Sequence, residues 1–120
     1  MNDESRNLKQ RTKDFALRII RMYCALPKST EAQILGKQAP LRSGTSVGAH
    51  YREATRARSD AEFISKLEGG LQELEETGYW LELLGESKIV APQKLAGLNQ
   101  ESVELAAMLT ASVKTVKNHK

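Results

Sequence analysis

The chain has 120 residues, of which 28% are charged and 5% aromatic, with a net charge of +3, three prolines and one cysteine. A single domain of this length buries a real core without metals or cross-links, its aliphatic-rich, proline-poor composition favours helices over a β-sandwich, and the lone Cys24 excludes a disulfide framework. The polar opening MNDESRNLKQRTKD lacks the apolar core of a signal peptide, and no apolar run approaches the roughly 18 residues of a membrane span; the expectation is a cytoplasmic protein without membrane contact.

One domain over residues 1–120 is expected, with residues 1–11 as a flexible N-terminal tail. The first helix is predicted from about Thr12 to Leu26, ending before Pro27. Phe15, Ile19, Met22 and Leu26 form one apolar stripe on it. Leu17, Ile20 and Cys24 form another, roughly 140–180° away at 100° per residue. A bundle helix needs one buried face, so the second stripe asks for a second partner. It reads as an oligomer interface, or as a surface covered by the tail or a loop.

The second helix is predicted from Thr30, whose spacing to Gln33 is that of a capping box, to about Arg58. Pro40 inside it removes a hydrogen bond and crowds the preceding turn, so a kink or break is expected at Gln38–Pro40. Beyond that point Gly44, Val47, Gly48, Tyr51 and Ala54 share one side, and the two glycines allow another helix to come close. Arg42, Thr45, Ala49, Arg52 and Arg56 recur at three- and four-residue steps on the opposite side.

The third helix opens on a second capping box, Ser59 and Glu62, and runs to about Glu86. Its apolar stripe is Phe63, Leu67, Leu71, Leu74, Gly78 and Leu81, flanked by Glu68, Glu75, Glu82 and Glu86. The fourth runs from Pro92, which is tolerated in a first turn, to about Lys117, with Leu98, Ser102, Leu105, Leu109, Val113 and Val116 inward. Short connections make neighbouring helices antiparallel. The expected fold is all-α, an up-down-up-down four-helix bundle.

Charge is divided along the chain. Residues 1–58 carry 12 Lys/Arg against 5 Asp/Glu, whereas residues 59–86 carry 1 against 8. Oppositely charged helices choose each other as neighbours in a bundle; alternatively, a basic face is aimed at phosphate. The arginine row Arg42, Arg52 and Arg56, with Arg18 and Arg21 of the first helix, is the candidate nucleic-acid surface.

Catalytic and metal motifs are not found. Gly36-Lys37 lacks the glycine at 31 and the Ser/Thr at 38 of a P-loop, where Glu31 and Gln38 stand instead. His50 and Glu53 occur once and in the reverse order of a bundle di-metal motif. His50 reads as a surface residue and His119 as part of a frayed terminus. Ser43, Thr45 and Ser46 lack a base, and the carboxylates of the third helix are regularly spaced solvent groups. No enzyme activity, metal or cofactor is expected.

The segments LPKSTEAQILGKQ, LRSGTSVGAHYREATRARSDAEFISKL and ETGYWLELL resemble the four-helix bundle family of 23S rRNA intervening-sequence proteins, over about residues 12–118. The resemblance implies a short antiparallel bundle that assembles as a ring-shaped homopentamer, with no catalytic residues; a related retroelement accessory protein is associated with nucleic acid. Ala39-Pro40 departs from the apolar helix former expected after GKQ. Two functions follow as expectations: a homo-oligomeric ring binding structured RNA or DNA through the basic face, or an adaptor that docks another protein while the basic and acidic rows serve subunit assembly. With no aromatic platform beside the arginines, nucleic-acid binding would be driven by charge and shape.

Overall fold

The computed structural model describes residues 3–36 and 41–118. Lys37, the break expected at Gln38–Pro40, and His119 lie outside them. The described elements are all helical: α1 (Asp3–Cys24), a short α2 (Thr30–Gly36), α3 (Arg42–Thr55), α4 (Asp60–Glu86) and α5 (Pro92–Asn118). α1 packs on α3 and α5, and α4 packs on α3 and α5, so the four long helices form a closed square with α2 against α4. The bundle is elongated, 50 × 22 × 19 Å, as expected of 27-residue helices that rise 1.5 Å per residue. No helix of the described residues is long and apolar enough to cross a membrane.

The helix ends follow local chemistry. Ser59 is extended, and its hydroxyl accepts from the Glu62 backbone N–H at 3.1 Å, one half of a capping box, while the Glu62 carboxylate accepts from the Arg58 N–H at 3.3 Å, one residue before the cap. α2 is capped one residue earlier than its sequence suggested. The Ser29 hydroxyl, not that of Thr30, accepts from the Ala32 N–H, while Gln33 donates its amide to the Pro27 carbonyl. Lys88, at φ 65°, ends α4 in a left-handed turn, and the Val90 N–H closes on the Leu84 carbonyl at 3.2 Å.

α1 begins at Asp3, well before Thr12, so the expected tail over residues 1–11 gives way to helix from Asp3 onward. The physical reason is Leu8. It is 1% exposed and extends the buried stripe through Thr12, Phe15 and Ile19 by another turn. Thr12 satisfies its buried hydroxyl on the Leu8 carbonyl at 2.8 Å. In α4 the inward face is centred on Ile64, Leu67, Leu74, Leu81 and Leu84, with Phe63 and Leu71 on its shoulders. The stripe read from the sequence was rotated slightly off this centre, because Gly70 and Thr77, neither strongly apolar, are buried there. The α5 stripe is buried as expected from Leu98 to Val113, with Leu95 added and Val116 only partly covered.

The small residues of α3 set the closest packing. A Cβ added at Gly44 would lie 2.9 Å from Ile19 Cγ1, and one at Gly48 would lie 3.4 Å from Thr12 Oγ1, so the Ile19 and Thr12 side chains of α1 pack directly on the α3 backbone at these two turns. Alanine gains roughly 1 kcal/mol of helix propensity over glycine, and overpacking costs about 1–3 kcal/mol. In urea denaturation Gly44→Ala should be destabilised by about 1 kcal/mol, whereas Gly48→Ala should be neutral or slightly more stable. Leu8→Ala should cost about 3 kcal/mol, as for any core leucine; a cost near zero would restore the tail.

Candidate nucleic-acid interface

The arginines singled out by the sequence fall into three separate surroundings. Arg42, in the first turn of α3, faces α4: its Nη2 donates to both carboxylate oxygens of Glu76 at 2.9 Å, and it lies 3.2 Å from Glu73 Oε2. The meeting of arginines with acids that sequence posed as a rival to phosphate binding is thus present at this position. It occurs within one chain, and with Glu73 and Glu76, not with Glu68, Glu75 or Glu82. Arg18 reaches the other flank of α1, where a Cβ added at Gly97 of α5 would lie 2.7 Å from its Nη2. Arg21 is exposed in the last turn of α1. Neither is brought together with Arg52.

Arg52 stands instead beside two lysines that the sequence reading did not select. The antiparallel contact of α1 with α3 at Gly48 leaves an outer groove lined by Thr12, Lys13, Ala16, Thr45, Ala49 and Arg52. It continues past Lys9, Gln10 and Lys13 with Arg52 on its other wall. Lys9 and Lys13 are one helical turn apart and so share a face of α1. Lys9, Lys13 and Arg52 are all exposed. Among the described residues none of the three forms an ion pair, in contrast to Arg11, Arg42 and Lys66. The groove floor is small because Gly48, Ala16 and Ala49 carry little or no side chain, so its walls stand out as cations. The missed signal was the Lys9/Lys13 spacing, hidden by treating residues 1–11 as a tail.

Arg56 sits at the α3–α4 turn with Arg58, Glu53, Glu62 and Lys66. Lys66 donates to Glu53 at 2.8 Å, which holds the Glu53 carboxyl below its ordinary value and raises the Lys66 ammonium. This end is mixed in charge, unlike the groove. On the far side of α1, Arg11 binds Glu101 through Nε and Nη2 and Glu104 at 3.0 Å, which raises the guanidinium pKa further, chiefly through the Glu101 hydrogen bond.

His50 is half-buried in the α3–α4 seam, not a free surface residue: a Cβ added at Gly69 would lie 3.0 Å from its ring. Ser43 is buried, and its hydroxyl and that of Thr77 are 2.7 Å apart; Thr45 and Ser46 bond back to the Leu41 and Arg42 carbonyls. The Thr45 and Ser46 hydroxyls thus donate back to carbonyls of the preceding turn, and that of Ser43 accepts from Thr77, so none has a base beside it as a nucleophile would. No group of three or more His, Cys, Asp or Glu among the described residues is placed to hold a metal. The second α1 stripe is exposed on this chain: Leu17 is 41% and Ile20 39% accessible, and Cys24 is an exposed thiol.

Fold and site together define a small antiparallel helical bundle with a basic outer groove between its first and third helices. The sequence pattern of the 23S rRNA-intervening sequence protein family matches residues 4–111, and the chain belongs to that family. A similar solved structure is the 1.70 Å crystal structure of a protein of unknown function from the S23 ribosomal protein family of Bacteroides thetaiotaomicron VPI-5482. It is 38% identical, with 92% of this chain and 98% of that chain covered and a TM-score of 0.87. No curated protein matches.

The Arg42 clamp makes a pH prediction. The Arg42 hydrogen bond, helped by the Trp80 indole N–H, holds the Glu76 carboxyl below its ordinary 4.5. A lowered folded-state pKa gives stability that is present above 4.5 and lost as pH falls through the lowered value. Both side chains are substantially exposed, so Glu76→Gln should cost less than about 1 kcal/mol at neutral pH. In urea denaturation the variant and the parent should converge in strong acid; a cost that persists there would mean that packing, not charge, is at work.

Proposed function

We propose that this protein is a non-enzymatic, cytoplasmic module that binds structured RNA through the α1–α3 groove and works as a homo-oligomeric ring, with the homopentamer of the resembled family as its expected form. The observation that carries the reading is the trio Lys9, Lys13 and Arg52, three cations on facing helices without an acidic partner among the described residues. Cations left unpaired in a chain that pairs Arg11, Arg42 and Lys66 are suited to phosphate, which arginine and lysine contact through charge-assisted hydrogen bonds. Arg56, Arg18 and Arg21 add positive field at a distance, while Arg42 is held by its own acids.

Base-specific reading is not part of the proposal. Tyr79 and Trp80 meet edge to face at 5.4 Å on α4, beside Glu76 and away from the α1–α3 groove. The partner is therefore a shaped, phosphate-dense surface, and repetition around a ring multiplies a modest groove into useful avidity. The second reading, an adaptor that docks a protein, is favoured by Tyr79 and Val103, which are 56% and 66% exposed. No cofactor enters either reading.

Fluorescence anisotropy with a labelled structured RNA, titrated at roughly 50 and 200 mM salt, separates the two. Three phosphate contacts alone weaken binding roughly 40-fold across that range. Lys9→Gln/Lys13→Gln/Arg52→Gln should lose most of this salt dependence, its log–log slope shallower by about 2–3, while Arg42→Gln should change little. A triple variant that binds as the parent does would remove the groove from the mechanism. No binding by the parent at low salt would favour the adaptor.

A further inference from the structure

Self-association, the reading on which this inference rests, supplies one half of a junction: the ridge Leu17, Ile20 and Cys24. The molecule also carries a surface shaped to receive it. Beside the α4–α5 turn an open groove runs between the outer sides of the two helices, lined by Leu81, Gly85, Pro92 and Leu95, with Glu82 and Glu86 along its rim. It is open because position 85 has no side chain; a Cβ there would meet only Leu95 Cδ1, at 3.4 Å. Leu81 and Leu95 form its apolar floor and are at most 1% exposed, so the core itself is the bottom of the groove.

We propose that the Leu17/Ile20/Cys24 ridge of one copy of this chain seats in the Gly85 groove of the next. Three observations argue for a second copy as the occupant. The first is charge. The exposed Arg21 stands on the shoulder of the ridge, whereas the exposed Glu82 and Glu86 stand on the rim of the groove; Lys88, at the turn, also lines the groove. The second is level. Arg18, between Leu17 and Ile20, lies against Gly97, two residues along α5 from the Leu95 that floors the groove. Ridge and groove are therefore at the same height on the bundle, and copies joined through them stay side by side.

The third observation is placement. α1 contacts α3 and α5, and the groove belongs to α4 and α5, so the two surfaces lie on different sides of the square. A junction between unlike surfaces is heterologous, and it closes into a ring when the rotation allows. Two ridges pairing with each other would instead give a two-fold dimer and bring the two Arg21 side chains together.

The test is a mixing experiment read by size-exclusion chromatography with light scattering. Leu17→Glu/Ile20→Glu removes the ridge and keeps the groove; Gly85→Gln fills the groove and keeps the ridge. Each alone should be a helical monomer. An equimolar mixture retains one intact junction per pair and should give a heterodimer of twice the monomer mass. Glu82→Lys/Glu86→Lys, on exposed side chains, replaces Gly85→Gln if that variant loses helicity by circular dichroism. Groove variants that assemble as the parent does would overturn the ridge-to-groove junction and leave self-association standing. Two folded monomers that fail to form the heterodimer would also overturn it, in favour of ridge-to-ridge contact. A parent monomeric at high micromolar concentration would remove self-association, and this junction with it.

Discussion

The contact of α1 with α3 at Gly44 and Gly48 is the constraint from which the rest of the molecule follows. Two glycines in one helix reduce its propensity to form, and here they remove the side chains that would hold α1 away. The approach buries Phe15, Ile19, Val47 and Tyr51 in one core, and it draws the outer edges of the two helices together. Lys9 and Lys13 on one helix and Arg52 on the other thereby become the walls of one groove. With a larger residue at 48, the same three cations would stand on helices further apart, each in its own water. The local weakness of α3 as a helix is offset by burial and is the source of this basic groove.

Around that contact the remaining charges serve the bundle. Arg11 ties α1 to α5 through Glu101 and Glu104, Arg42 ties α3 to α4 through Glu73 and Glu76, and Lys66 ties α4 to α3 through Glu53. The exposed pairs among these, Arg42–Glu76 and Lys66–Glu53, contribute little stability each. Their larger effect is on neighbour choice, since a basic first half of the chain and an acidic α4 favour this pairing order over others. The two readings of the divided charge are therefore not exclusive. Some cations of each helix set the architecture, and those facing outward across the glycine contact form no ion pair among the described residues.

The fold was legible because periodicity, caps and breaks agreed. The Leu67/Leu74/Leu81 and Leu98/Leu105/Leu109 repeats, the Ser59–Glu62 box and the Pro92 start each specify a helix locally, and the family match and the structure agree with them. The glycine side of α3 was legible for the same reason. The start of α1 was not. Leu8 is an isolated apolar residue in a polar stretch, and only its tertiary burial shows that it belongs to the stripe. The site was legible in part: Arg52 lies in the groove, whereas Arg42 is spent on α4 and Arg18 turns toward α5. Spacing along one helix places side chains on a face, but the neighbour across that face decides which charge stays unpaired.

A chain that both assembles and binds must keep the two surfaces from competing. Lys13 and Leu17 are about 6 Å apart along α1 at 1.5 Å per residue, and Ala16 still lines the groove, so the ridge begins where the groove ends and runs on toward Cys24. A junction built on Leu17, Ile20 and Cys24 covers one end of the α1–α3 face and leaves Lys9, Lys13 and Arg52 at the other. If every junction forms at the same height, the basic grooves of all copies emerge on one rim of the assembly. Binding by such a rim depends on its circumference and on the spacing of phosphates across a folded RNA, not on any single contact. Under the proposed function that dependence would fit a groove with three cations and no aromatic: discrimination would come from the geometry of the repeats, and each copy would need only to hold a phosphate.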